Sequence, residues 1–534
     1  MPSFEEIRIF LAKKRLFLLK KARRRCTLPD DKKIKSGEHE MFFTSTRQKL
    51  NVTAAQAIAR GISKDGGLFV PSEFPEISQD MFRKLVSMNY KERACTVLSA
   101  YLNDFSKEEV EYCVNGAYTG TFDNEQPAPL VDLGNGCHML ELWHGPTCAF
   151  KDLALQILPF LLTVSAKKTA PDKTIVILVA TSGDTGKAAL AGFADVPGTK
   201  IIVFFPQNGV SPMQKLQMTT QTGNNVAVCA IEGNFDDAQT GVKKIFGDAA
   251  MQEFLNSGKM EFSSANSINF GRLAPQIVYY VSAYCDLVRD GKIKMGEPMN
   301  VAVPTGNFGN ILAALYAKRM GVPIKKFICA SNKNNILTDF IKTGVYDRNR
   351  PFYTTSSPSM DILISSNLER LLYHLYNEDA SQVAALMKSL SAEGKYEVSA
   401  EVLAKLQSEF TGGYCDEAAT RATISKLFKE KHYLCDTHTA VAVKVYEDYV
   451  RETGDAMPCV IASTASPYKF AADVLPAIDN GEIPADGFAL LDKLSAVSDT
   501  AVPGPLAELK SKEVLHKTCV EKENMADFIK AFLG

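Results

Sequence analysis

The sequence predicts an α/β protein built on doubly wound, largely parallel sheets. Three observations carry this expectation. Near-continuous apolar runs of strand length recur at 173–180 (KTIVILVA), 199–206 (TKIIVFFP) and 299–304 (MNVAVP). Stretches with apolar residues at helical spacing separate them. Polar turns rich in Gly, Ser, Thr and Asn stand where strands pass into helices. Parallel strands covered by helices on both faces require apolar residues at nearly every position, and alternation of such runs with helices is the pattern of a doubly wound sheet.

Taken in order, residues 41–130 form a small mixed domain. LNVTAAQAIARGIS has helical spacing, DGGLFVP ends in a strand-like run closed by Pro71, and 81–118 holds two or three amphipathic helices. From 136 the pattern changes. CHMLELW is a short strand, HGPTCAFKD a loop, and LALQILPFLLTVSAKK an amphipathic helix. The runs at 173–180, 199–206, 224–233, 299–307 and 322–331 then give successive strands with helices between them. Residues 360–430 are mostly helical, MPCVIASTASP is a late strand, and the last fifty residues are helices packing on the outside. The expected domains are therefore 41–130 as an N-terminal accessory unit and 131–170 with 290–534 as a large domain. The large domain carries a helical insertion at about 360–430, and 171–289 is a small domain.

The totals narrow the class. At 534 residues the chain exceeds one ordinary core. Sixty basic residues against 61 acidic leave a net charge of −1, which gives no reason to expect nucleic acid or a membrane surface as partner. Twelve scattered cysteines with no C-x-x-C pair, and seven histidines without H-E-x-x-H, indicate no metal site and suit a reducing compartment, the cytoplasm. No run of about 18 apolar residues predicts a membrane helix. Residues 1–40 stand apart, with twelve basic and six acidic residues. They read as a targeting arm, a solvated basic helix or an extension upstream of a chain that starts at Met41. Glu5 and Glu6 at the front weigh against the first.

Ligands of open parallel sheets bind beyond the carboxyl ends of the strands, so the loops there are the places to look. PTGNFGN, from Pro304 to Asn310, follows one strand and opens a helix. Its glycines let the backbone approach a ligand, and convergent amides plus the helix dipole make a phosphate cradle; an ordinary αL turn is the plain alternative. TSGDTG, from Thr181 to Gly186, suits a carboxylate or phosphate, although one Ser or Asp would suffice as a helix cap. HGPTCAFKD brings Lys151 to a helix N-terminus, where a lysine is electrostatically unfavourable. It is either a snorkelling side chain or an amine for Schiff-base chemistry, freed by burial and cationic neighbours. No G-x-x-x-x-G-K-[ST] pattern is present, which argues against an ATP loop.

Together, ELWHGPTCAFKDLALQ, ATSGDTGKAA, SPMQKLQMTT, EGNFDDAQTGVKKIF, NSINFGR, PTGNFGN, SPSMDILISSNLERLL and STASPYKFA resemble threonine synthase. This is a family of fold type II (tryptophan synthase β-like) enzymes that use pyridoxal 5'-phosphate (PLP). The likeness runs from about Thr44 to about Phe470, and residues 1–40 lie outside it. The resemblance implies that Lys151 carries the cofactor. It implies that Gly306, Asn307, Phe308, Gly309 and Asn310 hold the cofactor phosphate, and that Thr464 faces the pyridine nitrogen. It implies that Ser182, Gly183, Asp184 and Thr185 receive the substrate carboxylate, and that Ser211, Lys215, Asn269 and Arg272 are candidates for the substrate phosphate. One departure stands out: the family's TAHP-like pattern has a histidine where this chain has Ser466.

The implied reaction converts O-phospho-L-homoserine into L-threonine and phosphate, the last step of threonine biosynthesis. The nearest rival is a lyase that eliminates phosphate and yields 2-oxobutyrate and ammonia. A hydroxyamino-acid dehydratase, a cysteine-synthase-like enzyme and a PLP-binding protein kept for regulation are more distant. A monomer and a homodimer are both compatible with the sequence. If Met41 starts the functional chain, a protein of residues 41–534 keeps full activity, and a turnover assay of that truncation checks it.

Overall fold

The computed structural model describes residues 41–534 apart from 182 and 209, together with the backbone of Ile34–Lys35; of Phe235 and Asp236 it describes the backbone alone. The reading of residues 1–40 as a basic extension lies outside the described residues, as does that of Ser182.

Two sheets organise the chain. The larger has the order Phe410–Tyr414, Ile324–Ser331, Met299–Pro304, Cys459–Ser463, Cys137–Glu141, Leu130–Gly134. Its first five strands are parallel, and Leu130–Gly134 closes one edge antiparallel. The smaller has the order Met260–Ser263, Thr174–Ala180, Thr199–Pro206, Val226–Glu232, Cys519–Glu521, all parallel. Every residue of Met299–Pro304 is buried, as the near-continuous apolar run requires of a strand covered on both faces.

The predicted helices and strands appear with some differences, and the stretch 360–430, expected to be mostly helical, also holds the edge strand Phe410–Tyr414 of the larger sheet. LALQILPFLLTVSAKK is not one helix: Asp152–Leu155 and Leu158–Thr169 are separated at Gln156 and Ile157. Pro159 has no amide to donate, so it suits the first turn of a new helix and not the middle of an old one. The last fifty residues are not all helix either. Gly487–Ser498 and Met525–Leu533 are helical, but Cys519–Glu521 pairs with Val226–Glu232 and adds an edge strand to the smaller sheet. Three exposed or half-exposed residues gave no apolar pattern by which to read it.

The N-terminal unit pairs Phe43–Ser45 with Phe69–Pro71 and carries Ala54–Arg60, Tyr90–Tyr101 and Lys107–Tyr118. Each of these three helices opens with a capping box, on Thr53, Asn89 and Ser106, which satisfies two amides that would otherwise lack partners. The unit packs on Phe270–Arg289, a twenty-residue helix that is buried almost throughout. Arg93 fixes the docking. Its guanidinium is 2.7 Å from Asp286 Oδ1, both side chains are 1% exposed, and it also donates to Leu85 O, Val86 O and Ser282 O. Taking either partner away would leave a buried charge poorly met, a loss of about 3–5 kcal/mol.

A second buried arginine ties the unit to the sheet ends. Arg370 donates to Phe69 O (2.9 Å), to Ile268 O (2.6 Å) and to Asn367 Oδ1 (2.5 Å). Beside it Glu369 takes Arg47 in a forked pair and the Thr46 hydroxyl. Among the described residues no helix is long and apolar enough to cross a membrane.

Candidate active site

Four loops leave the carboxyl ends of the strands and meet. The loop after Cys137–Glu141 turns through Cys148, whose φ is 56°, and ends at Lys151, which precedes the helix Asp152–Leu155. Asp152 is buried and accepts from Thr147 N (2.8 Å) and Thr147 Oγ1 (2.7 Å), so the loop closes on itself. It is also stitched to the loop after Cys459–Ser463: Phe150 N donates to Thr464 O (2.8 Å), and Ser466 N donates to Cys148 O (3.0 Å). Lys151 and Thr464 are thereby held together in loops that follow neighbouring strands of one sheet.

The amine of Lys151 has two partners. It donates to Ser359 Oγ (3.2 Å) and lies 3.5 Å from Asp184 Oδ2. Burial holds the ammonium below the ordinary lysine range; Asp184 opposes this, and the charges of Lys469 and Arg272 reinforce it. Asp184 opens the helix Asp184–Phe193 of the smaller sheet and is itself buried. Its Oδ1 is 2.8 Å from Lys469 Nζ and accepts from Gln214 Nε2 (3.0 Å). Burial alone would raise its carboxyl, but Lys469 and Lys151 outweigh burial and hold it well below the usual carboxylate range.

The PTGNFGN loop reaches the same place through Ser359. A Cβ on Gly306 would stand 2.5 Å from Ser359 O, so only glycine fits there. Phe308 takes φ 62°, and the helix Gly309–Arg319 starts with no side-chain cap. Its first amides are left for an anion. Asn310 Oδ1 accepts from the Tyr280 hydroxyl, while Asn310 Nδ2 is buried without a partner. The loop is braced from behind: Ser365 Oγ donates to Gly306 O (2.7 Å), and Asn367 donates to Asn307 O from its backbone (3.1 Å) and its side chain (2.9 Å).

Ser359 is positioned in turn by His438. Its amide donates to His438 Nε2 (3.2 Å), and Nδ1 of the ring faces Asp436 Oδ1 at 2.8 Å. Nε2 accepts, so the proton sits on Nδ1 and points at Asp436. His438 is thus a buried histidine with both ring nitrogens satisfied.

The remaining expected site residues divide. Arg272 is buried, its NH1 donates to Ala265 O (2.5 Å), and its Nε has no partner. Asn269 is saturated: its amide nitrogen donates to Ile58 O and Ser264 O, and its oxygen caps Gly271 N. Ser211 caps the helix Pro212–Thr219, and Lys215 donates to Gln207 Oε1 at the surface. Gly183 has φ 143°, and a Cβ there would meet the Gln214 side chain. Thr185 is half-buried. The Asp184 carboxylate is committed to cations and has no proton to offer a second carboxylate. Lys469, Ser359 and Gln214 belong to the same cluster and were not singled out from the sequence, although all three lie inside the quoted motifs.

An uncapped helix N-terminus beside a glycine that admits no side chain, a partnerless buried amide and a buried amine of lowered basicity together fit a phosphorylated aldehyde cofactor. The comparisons agree. Residues 122–462 match the family model described as pyridoxal-phosphate dependent enzyme. The protein is a PLP-dependent enzyme of fold type II. Residues 42–118 and 439–529 match the models for the threonine synthase N terminus and C-terminal region. The chain is 43% identical over 463 residues to threonine synthase-like 1 of Pongo abelii, covering 83% of this chain and 61% of that protein. It is 36% identical to threonine synthase of Schizosaccharomyces pombe, over 81% of this chain and 88% of that one. The PLP-bound threonine synthase of Brucella melitensis superposes with a TM-score of 0.82 at 35% identity, over 92% of this chain and 99% of that one. The chain belongs to the threonine synthase family. It spans about three fifths of the length of the threonine synthase-like 1 relatives it matches.

Gly306→Ala is expected to push the 358–360 segment away and to weaken cofactor retention by about tenfold or more, a cost of at least one to two kcal/mol. Gly504→Ala, where nothing lies within 4 Å of the added atom, leaves retention unchanged. Titration of each variant with PLP, followed by absorbance, checks both.

Proposed function

We propose that the protein converts O-phospho-L-homoserine into L-threonine and phosphate, acting as a carbon–oxygen lyase on a phosphate ester. The observation that carries this reading is the buried amine of Lys151, which shares Ser359 with the glycine loop that opens an uncapped helix. The names of the yeast and bacterial relatives support the reaction.

In this reading the amides of Gly306, Asn307, Phe308, Gly309 and Asn310 hold the cofactor phosphate, and Lys151 holds its aldehyde carbon. PLP, when bound, anchors the substrate amine and accepts the electron pair left at Cα. Lys151, released by the incoming amine, takes the α-proton and later returns it. Burial favours its uncharged form, which is the form a base needs. Thr464 would present a hydroxyl, not a carboxylate, to the pyridine nitrogen, which would leave that nitrogen largely unprotonated. The loop of Ser182, Gly183 and Thr185 receives the substrate carboxylate. Arg272 meets the leaving phosphate with its free Nε, a fixed donor in a site shielded from water. Ser211, Lys215 and Asn269 have their polar groups engaged elsewhere, so Arg272 is the strongest of the four candidates. The division of labour follows the two sheets: the larger carries the cofactor loops and the smaller the substrate loop, and Cys519–Glu521, read from the sequence as part of the large 290–534 domain, belongs to the smaller sheet.

One observation favours a second reading, a lyase that releases phosphate and yields 2-oxobutyrate and ammonia. Ser466, in the place of the family's histidine, is fully buried and caps Tyr468 N at 3.4 Å. A short side chain there removes a ring from beside the cofactor loop. Incubation with O-phosphohomoserine separates the two. Phosphate and threonine in equal amounts are expected; phosphate with 2-oxobutyrate would transfer the protein to the second reading. Lys151→Ala is expected to lose turnover by at least roughly a hundredfold, together with the absorbance of covalently held cofactor. Normal turnover and spectrum in that variant would refute the assignment.

A further inference from the structure

Asp184 is one carboxylate shared by two lysines, and the sharing has a chemical consequence. Lys151 and Lys469 come from the larger sheet, and Asp184 from the smaller. Lys469 is the more deeply placed cation: its side chain is 1% exposed, and its ammonium also donates to Thr147 O at 2.8 Å. It therefore joins three loops, its own, that of Lys151 through Thr147, and that of Asp184. The two carboxylate oxygens are divided, Oδ1 to Lys469 and Gln214, Oδ2 to Lys151.

We propose that Lys469 is a positioning residue for the reaction: it is the standing counter-ion of Asp184, and it allows Lys151 to give up its charge without leaving a buried carboxylate unpaired. The inference rests on the reading of Lys151 as the cofactor lysine. A lysine that binds an aldehyde and acts as a base must pass through its uncharged state. If Asp184 had no other cation, that state would strand a desolvated carboxylate, and the pair would hold Lys151 as an ammonium. With Lys469 in place the carboxylate stays matched whether Lys151 is charged or not. Lys469 also repels the Lys151 charge across the shared group, and Arg272 acts in the same sense. The groups that face the Lys151 amine are thus Asp184, Lys469, Arg272 and the Ser359 hydroxyl. This separates Lys469 from a purely structural ion pair, which would hold the loops together without setting the reactivity of its neighbour.

The test follows the rate at which the full chain, freed of cofactor, captures PLP covalently as pH is varied. Only the uncharged amine attacks the aldehyde, so the midpoint of that profile reports Lys151. In Lys469→Met the midpoint is expected to rise by about one unit, a roughly tenfold slower capture at any pH below both midpoints. Lys469→Gln, which keeps a donor toward Thr147 O and Asp184 but no charge, is expected to rise likewise. Lys469→Arg, which keeps the charge, is expected to return toward the wild-type midpoint. Asp184→Asn gives the converse, a lower midpoint, because Lys151 then faces Lys469 and Arg272 unopposed; this arm stands even if the variants at 469 do not fold. In steady state kcat is expected to fall in Lys469→Met with KM little changed. An unmoved midpoint in the Met and Gln variants, an Arg variant displaced as far as Met, or a midpoint in Asp184→Asn that fails to fall would each overturn the proposal. A covalent-cofactor absorbance that survives in Lys151→Ala would instead take down the reading of Lys151 itself.

Discussion

The site is organised around a carboxylate taken out of water. Asp184 is buried at the start of a helix in the smaller sheet, and a buried carboxylate persists as an anion only if cations and donors meet it. Lys151, Lys469 and Gln214 meet this one. Two of the three come from the other sheet, so satisfying Asp184 requires the sheets to close on each other at their strand ends. The same closure sets the surroundings of Lys151. Its low-dielectric position and its cationic neighbours lower its basicity, while Asp184 keeps the charged form accessible.

Around this centre the chain uses backbone bonds to hold loops and side chains to hold those backbones. Phe150 and Ser466 lock the lysine loop to the strand end that carries Thr464. Asp436 orients His438, His438 holds the Ser359 amide, and Ser359 offers its hydroxyl to Lys151 and its carbonyl to the space beside Gly306. Arg370 and Asn367 carry the connection outward to Phe69 in the N-terminal unit. That unit therefore bears on the Pro304–Asn310 loop from a distance, through groups that are all buried and all paired.

Much of this architecture is legible in the sequence because it rests on burial. The strands at 174–180, 199–206 and 299–304 are written as near-continuous apolar runs, and the glycine loops between strand and helix mark the ends where ligands bind. Lys151 is legible as an anomaly, a lysine where the helix dipole disfavours one. What is not legible depends on partners far apart in the chain. Asp184 looks like a donor-rich loop residue until Lys469, 285 positions later, claims its charge. Asn269 looks available until Ile58 takes its amide. Cys519–Glu521 has too few residues and too little apolar character to announce a strand, and its place comes from the edge of Val226–Glu232.

The central claim is that these loops converge on one reactive amine. Borohydride reduction of the cofactor-loaded protein, followed by peptide mass spectrometry, tests it most directly. Lys187 and Lys469 lie in the same basic neighbourhood, and burial lowers Lys187 to about 8, so both are real competitors. The account predicts that the cofactor is fixed on Lys151 alone. Label on Lys187, on Lys469 or on several lysines would contradict it, because the shared carboxylate and the Ser359 contact would then be arranged around the wrong side chain.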